Sequence, residues 1–157
     1  MRTLGVGMVG YGFMGKMHTY AYKSLSMLYE PAPAAIRLVG VAVRSEASQR
    51  LALEQGGYEF ASPDYRKLLE RDDIDIINCC TPNNTHREIV VEAIRAGKHV
   101  YVDKPLAWDL TQAEEILRAE GVAEKEGIHR TRQMAHNYRF VPALMRAKEL
   151  IDEGRLG

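Results

Sequence analysis

Six residues close to the amino terminus constrain the fold of this chain more than any other feature. They follow an apolar run and open a segment of helical periodicity, and they read Gly10-Tyr11-Gly12-Phe13-Met14-Gly15. A G-x-G-x-x-G sequence between a strand and a helix is typical of a dinucleotide-binding loop. There Gly10 makes the tight turn, Gly12 lets the backbone approach a pyrophosphate, and Gly15 lets the helix pack closely on the strand. The alternative is a glycine turn with a purely structural role.

The remainder of the chain alternates between apolar segments and segments of helical periodicity. The predicted strands are 4–9, 37–43, 58–60, 74–80, 99–102 and an edge strand at 128–135. The predicted helices are 13–29, 46–55, 64–70, 85–96, 111–126 and 143–153, the last with Pro142 at the position where helices tend to begin. Strands rich in valine and isoleucine, without polar alternation, are typical of a parallel sheet covered by helices on both faces. The order therefore predicts an α/β fold, a Rossmann-type doubly wound parallel sheet, whose ligands lie beyond the carboxyl ends of the strands.

Two local predictions concern the first and the fifth helix. The spacing of apolar residues predicts that the first helix turns one side inward, carrying Met14, Met17, Ala21, Leu25 and Leu28. In the fifth helix, Thr111 and Glu114 have the spacing of a capping box, which predicts that the helix begins there.

Composition excludes several classes of function. The formal net charge of the 157 residues is zero, so we expect neither nucleic acid nor a membrane surface as a partner. No apolar run approaches a membrane span, and the predicted strand begins within a few residues of Met1, so we expect no signal peptide. The adjacent Cys79 and Cys80 should point to opposite faces of a strand and remain unpaired, which fits a cytoplasmic protein. Metal-ligand spacing is absent, so no metal is expected.

The residues after the second strand should contact the adenosine ribose of a dinucleotide. An NAD site usually has a carboxylate there, but this chain has Arg44 and Ser45, with Glu46 as the nearest acid. Arg44 can pair with a 2′-phosphate and Ser45 can donate a hydrogen bond to it, which favours NADP slightly over NAD. Alternatively, Arg44 is solvated and Ser45 caps the next helix, leaving the preference open.

Two further loops should face the same crevice. The loop after the fourth strand carries Thr81, Pro82, Asn84 and His86. His86 falls in the first helical turn, where a packed or hydrogen-bonded histidine is the alternative to a catalytic one. After the fifth strand, a lysine stands between an aspartate and a proline, Asp103-Lys104-Pro105. Partial burial would suit Lys104 to proton transfer, whereas a surface lysine in a turn is the alternative.

Four segments in this order resemble the glucose–fructose oxidoreductase/inositol dehydrogenase (Gfo/Idh/MocA) family. They are residues 10–15 with His18, residues 81–86, residues 103–105 and residues 137–142. The resemblance implies that the glycine loop and the segment after the fourth strand contact the dinucleotide. It implies that Lys104 serves the nicotinamide and the substrate as the candidate catalytic residue. Asn137 matches a family position near the nicotinamide.

The chain also departs from the pattern of that family. Asp103 stands where a glutamate is usual, and Arg44 replaces a common acidic residue. Family members continue into a second α/β domain, whose Asp-x-x-x-His motif supplies a proton donor or acceptor and whose sheet mediates homo-oligomer assembly. We therefore expect residues 1–136 to form the NAD(P)-binding domain, and residues 137–157 to form a bridging helix and the start of a missing substrate domain.

The resemblance implies the cofactor-binding half of an NAD(P)-dependent oxidoreductase. Its substrate would be a sugar, a cyclitol or a similar polyol, and the isolated chain should bind cofactor but turn over poorly. One alternative is a non-catalytic NAD(P)-binding module or subunit. Another is a relative of the glycosidases that use NAD transiently.

Overall fold

Six parallel strands form a single sheet in the computed structural model, which describes residues 2–155. The strands are β1 (Thr3–Val9), β2 (Ala35–Ala42), β3 (Phe60–Ser62), β4 (Ile76–Cys79), β5 (His99–Asp103) and β6 (Arg132–Ala135). Their order across the sheet is β3-β2-β1-β4-β5-β6, and every neighbouring pair is parallel. The predicted doubly wound Rossmann-type fold is therefore confirmed. The strand order reverses between β1 and β4, which is where such sheets open a ligand crevice.

Helices connect the strands and cover both faces of the sheet. They are α1 (Phe13–Leu28), α2 (Glu46–Leu51, continued by a π-helical turn, Ala52–Gly56), α3 (Arg66–Leu69), α4 (His86–Arg95), α5 (Leu110–Lys125) and α6 (Pro142–Asp152). On one face, α4 and α5 bury side chains such as Ile94 and Ile116 against Ile77 and Val102. On the other face, a smaller cluster buries Val41, Met8 and Tyr58 with residues of α1 and the π turn. The sheet is therefore apolar on both sides, as its sequence predicts.

The inward face predicted for α1 is only partly right. Met14 and Leu25 are half-buried, but Met17, Ala21 and Leu28 are exposed, and the buried positions are the small residues Gly15, Thr19 and Ser24. Thr19 donates from Oγ1 to the Gly15 carbonyl at 2.7 Å and bonds the Tyr58 hydroxyl at 2.8 Å. At Gly15 a larger side chain has no room, because the helix lies close there to the backbone of the preceding loop.

Most element starts differ from the predicted ones by one to four residues, and β3 and α5 show the physical reasons. Strand β3 begins at Phe60 and not at Tyr58, because Gly57 ends the preceding turn with φ +79° and Tyr58 packs into the core. Helix α5 begins at Leu110, where Asp109 is the N-cap and accepts a hydrogen bond from the Gln112 N–H at 2.8 Å. The capping box predicted at Thr111 is therefore wrong, since an aspartate earlier in the chain fills that role.

The carboxyl-terminal segment packs little against the rest of the domain. Strand β6 pairs with β5 alone, as an edge strand, and a 3₁₀ turn, Asn137–Phe140, leads into α6. The helix starts at Pro142, as predicted, and none of its residues is fully buried. The proposed boundary between residues 136 and 137 stays a prediction, and Met1, Leu156 and Gly157 lie outside the described residues. Between residues 2 and 155, no helix is long and apolar enough to cross a membrane.

Candidate nucleotide-binding crevice

The glycine loop lies at the centre of the sheet's carboxyl edge, and its three glycines have different surroundings. Gly10 has φ +90°, and a Cβ there would lie 2.7 Å from the Cys80 carbonyl oxygen. A Cβ on Gly15 would lie 2.3 Å from the Gly10 carbonyl oxygen. A Cβ on Gly12 would meet no atom of the described chain within 4 Å. Gly10 and Gly15 are therefore required by the fold, whereas Gly12 leaves open space that a ligand can fill.

This open space lies at the amino-terminal end of α1. Gly12 is the N-cap of the helix; among residues 2–155, no side chain caps it, and the first turn contains no acidic residue. The N–H groups of the first turn and the positive end of the helix dipole are therefore available to an anion. The arrangement fits a pyrophosphate approached by backbone, which is the geometry predicted from the hexapeptide.

A crevice of about 1120 Å³ extends from this loop to both sides along the carboxyl edge of the sheet. Most of the residues predicted to bind a cofactor line it: Gly10, Tyr11, Gly12, Phe13, Met14, Arg44, Ser45, Thr81, Pro82, Asn84 and Asp103. Tyr11 contributes little of its side chain, because its ring is buried against Tyr58, with the ring centroids 5.9 Å apart. A second groove of about 310 Å³, between α4 and α5, contains none of the predicted residues.

Four predicted residues lie outside the lining of the crevice. Gly15 is buried in α1, and His86 is buried at the start of α4. Lys104 is exposed directly beside Asp103, and Asn137 is exposed in the 3₁₀ turn after β6. The structure therefore brings the glycine loop, Arg44 and the loop after β4 together around one space, with Lys104 at its margin.

The end of the crevice beside β2 carries an available positive charge. Arg44 is exposed and forms no ion pair within residues 2–155. Ser45 is the N-cap of α2, and its Oγ accepts a long hydrogen bond, 3.4 Å, from the Ser48 N–H. Ser45 thus has the capping role, while Arg44 remains free to meet an anionic group.

Sequence reasoning missed one part of the crevice lining, which follows β3 and includes Pro63, Asp64, Tyr65 and Arg66. The guanidinium of Arg66 lies 4.7 Å from the Tyr65 ring centroid and bonds Glu88 at 2.7 Å and Glu92 at 2.8 Å. The hydrogen bond from Arg66 lowers the pKa of the Glu88 carboxyl. The available signal was the end of β3, which sequence reasoning placed too early in the chain.

The other end of the crevice is formed by the loops after β4 and β5, which hydrogen bonds tie together. Thr85 donates from Oγ1 to the Pro82 carbonyl at 2.7 Å and lies 2.8 Å from the Thr81 hydroxyl. The Asp103 carboxylate accepts a hydrogen bond from the Lys104 backbone N–H at 2.8 Å. His86 reaches both loops, with Nε2 at 2.8 Å from the Thr81 carbonyl and Nδ1 at 2.9 Å from the Pro105 carbonyl.

A polar cluster lies beneath the end of β4, on the face that α1 covers. Asn78 is fully buried, lies within hydrogen-bond distance of His18 and donates to the Tyr22 hydroxyl at 3.2 Å. The Cys80 sulfur lies 3.4 Å from Nδ1 of His18, and burial strongly raises the pKa of this thiol. Burial also raises the pKa of Tyr22 to about 12. Because Cys79 points to the opposite face, both cysteines are free, as predicted.

The chain is similar in sequence to a known protein family and to known dehydrogenases. Residues 4–128 match the oxidoreductase family with an NAD-binding Rossmann fold, GFO_IDH_MocA. Levoglucosan dehydrogenase of Pseudarthrobacter phenanthrenivorans is 39% identical over 160 residues, covering 100% of this chain and 39% of the relative. Myo-inositol 2-dehydrogenase of Thermotoga maritima is 29% identical, covering 97% of this chain and 42% of the relative.

The chain is also similar in structure to solved oxidoreductases. A levoglucosan dehydrogenase in complex with NADH and levoglucosan superposes with a TM-score of 0.88 at 34% identity, covering 99% of this chain and 41% of that one. An oxidoreductase domain protein from Kribbella flavida gives a TM-score of 0.87 at 36% identity, covering 100% of this chain and 41% of that one. The chain therefore spans about two fifths of the length of the relatives that it matches.

Proposed function

Because the chain belongs to the oxidoreductase family with an NAD-binding Rossmann fold, we propose that it is the cofactor-binding part of a polyol dehydrogenase. In this proposal, hydride passes between a nicotinamide dinucleotide and a hydroxyl-bearing carbon of a sugar, a cyclitol or a similar polyol. The observation that supports it most is the open space at Gly12 above the uncapped end of α1. That space is the one part of the glycine loop whose shape serves a ligand and not the packing of the protein.

Each part of the crevice has its own role in this proposal. The N–H groups at the start of α1 bind the pyrophosphate, and the walls that follow β2 and β3 hold the adenosine. The loops after β4 and β5 then receive the nicotinamide, because the two mononucleotide halves of such a site lie on opposite sides of the strand reversal. The proposed location is cytoplasmic, which the free thiols of Cys79 and Cys80 support.

The bound dinucleotide supplies the hydride acceptor or donor, and the protein supplies position and proton transfer. We assign Lys104 to the substrate hydroxyl, which it orients or helps to deprotonate. Support comes from its place directly after β5, beside the Asp103 carboxylate that lines the crevice. The exposed Asn137, after β6, is proposed to contact the nicotinamide side of the site.

Arg44 leads us to propose a preference for NADP over NAD. Its guanidinium is exposed at the crevice and forms no ion pair within the described residues, so it is available to a 2′-phosphate. Arginine binds phosphate through paired, charge-assisted hydrogen bonds, which favours the nucleotide that carries the 2′-phosphate. The relative that was solved with NADH makes NAD the competing outcome.

Parallel calorimetric titrations of the chain with NADPH and NADH test the proposal. We expect saturable binding of both nucleotides, with the lower Kd for NADPH. If neither nucleotide binds saturably, the assignment of the crevice is wrong; tighter binding of NADH overturns only the role of Arg44. A dehydrogenase assay with polyols on the same samples separates an enzyme from a non-catalytic binding module.

A further inference from the structure

We propose that His86 is a positioning residue that ties the loop after β4 to the loop after β5 and so fixes Lys104 at the crevice. The identity of the ligand that binds at this end of the crevice rests on the proposed function. The tie itself is a property of the free protein.

The tie follows from where the imidazole ring of His86 lies. His86 is the first residue of α4 and is only 1% exposed. Its Nε2 lies 2.8 Å from the carbonyl oxygen of Thr81, and its Nδ1 lies 2.9 Å from the carbonyl oxygen of Pro105. Strands β4 and β5 are neighbours, so the two carbonyls belong to adjacent loops. One buried side chain therefore holds both loops from behind the crevice.

Both hydrogen-bond partners of the ring are backbone carbonyls, which accept hydrogen bonds and cannot donate them. The ring must therefore be the donor in each hydrogen bond that it forms with these loops.

The tie bears on Lys104 because Pro105 is the next residue. In front of Pro105, the backbone N–H of Lys104 donates to the Asp103 carboxylate at 2.8 Å. Behind it, the Pro105 carbonyl is fixed by His86. The backbone of Lys104 is therefore held on both sides, although its side chain is exposed. A lysine that must meet a substrate hydroxyl benefits from such support, since misplacement by about 1 Å can cost a large part of a rate.

Two substitutions test the tie in the whole chain. His86→Phe keeps a buried ring and removes both donors, whereas His86→Gln keeps an N–H₂ group that can reach one carbonyl. Ile94→Ala is the matched control, because Ile94 is buried in the same helix but its side chain packs in the core against the sheet. Each variant is titrated with NADH and with ADP-ribose, which lacks the nicotinamide half.

We expect His86→Phe to raise the Kd for NADH about tenfold and to leave the Kd for ADP-ribose within about twofold. His86→Gln should lie between His86→Phe and the wild type. Ile94→Ala should lower Tm without changing the ratio of the two Kd values. An unchanged ratio in His86→Phe overturns the proposal, and if that variant does not fold, the ratio in His86→Gln decides.

Measurements on the free protein separate this proposal from the proposed function. Amide exchange at the non-proline residues of 81–85 and 104–107 should quicken in His86→Phe but not in Ile94→Ala. Unchanged exchange overturns the tie. If the wild type binds neither NADH nor ADP-ribose, the proposed function fails, while amide exchange still decides the tie.

Discussion

The two ends of the crevice are built in different ways. Beside β2, the group that faces the crevice is the exposed side chain of Arg44, which forms no ion pair within the described chain. Beside β4 and β5, the side chains of His86, Thr85 and Asp103 form hydrogen bonds that hold the backbone itself. We therefore expect that one substitution at the first end alters its proposed ligand preference with little effect on the fold. At the second end, the position of the loops and the stability of the fold depend on the same contacts.

The largest expected effect comes from the element that both ends share. Gly12→Val should raise the Kd for NADH and NADPH about a hundredfold or more, because its side chain fills the space beside the helix terminus. Tm should change little, since Gly12 has φ −76°, which any residue adopts, and no neighbour within 4 Å. Titration and thermal unfolding measure the two effects.

A matched control for this substitution exists in α5. Gly121 also has no atom within 4 Å of a Cβ, but it lies outside the crevice. Gly121→Val should therefore leave nucleotide binding unchanged. If Gly12→Val binds the nucleotides with wild-type affinity, the glycine loop is not the binding site of the pyrophosphate.

The next largest effect tests the β2 end by itself. Arg44→Asp should weaken NADPH binding about tenfold to a hundredfold and reverse the preference in favour of NADH, because a carboxylate repels the 2′-phosphate and can accept from a ribose hydroxyl. Parallel titrations measure the ratio of the two Kd values. Arg50→Asp, further along α2 and outside the crevice lining, is the control. Equal weakening of both nucleotides would contradict the assignment of Arg44 to the 2′-phosphate.

A smaller effect tests the β4 end. Thr85→Val removes the hydroxyl that bonds the Pro82 carbonyl and the Thr81 hydroxyl, which should lower stability by about 1 kcal/mol and Tm by about 3 °C. NADH binding should weaken severalfold with it. Thr111→Val, on the exposed first turn of α5, should change neither quantity. If Thr85→Val is as stable as the wild type but binds NADH more weakly, the position of the loop and the stability of the fold are separable at this end too.

The smallest effect lies at the opposite edge of the sheet and leaves both ends of the crevice unchanged. Hydrogen bonds from Arg71 and Arg37 lower the pKa of Asp73 to about 2. Because this pKa is below that of the unfolded chain, Asp73 stabilises the fold above about pH 4 and loses this contribution as the pH falls toward 2. The Tm difference between the wild type and Asp73→Asn should therefore shrink over that interval.

The exposed neighbour Asp72 provides the control for this pH dependence. Asp72→Asn should not reproduce the shrinking difference, and NADH binding at neutral pH should be the same in all three proteins. A constant Tm difference from pH 7 to pH 2 would contradict the role of the Asp73 carboxylate.

Much of the fold could be predicted because its signals are local. The alternation of apolar strands with helices, the glycine hexapeptide and Pro142 at the start of α6 each lie within a few residues of chain. The inner face of α1 could not be predicted in this way. Apolar spacing favoured Met17 and Leu28, but Gly15 lies against the Gly10 backbone and the Thr19 hydroxyl bonds the buried Tyr58.

The candidate site divides in the same way. Sequence alone determined the glycine loop, the ends of β2, β4 and β5, and hence most of the crevice lining, because a parallel sheet brings the carboxyl ends of its strands to one edge. Only the tertiary structure decided that residues 63–66 line the crevice and that His86 contacts two loops. Those contacts join residues far apart in the chain, and the burial that creates them depends on how neighbouring strands and helices pack, which no local pattern of residues records.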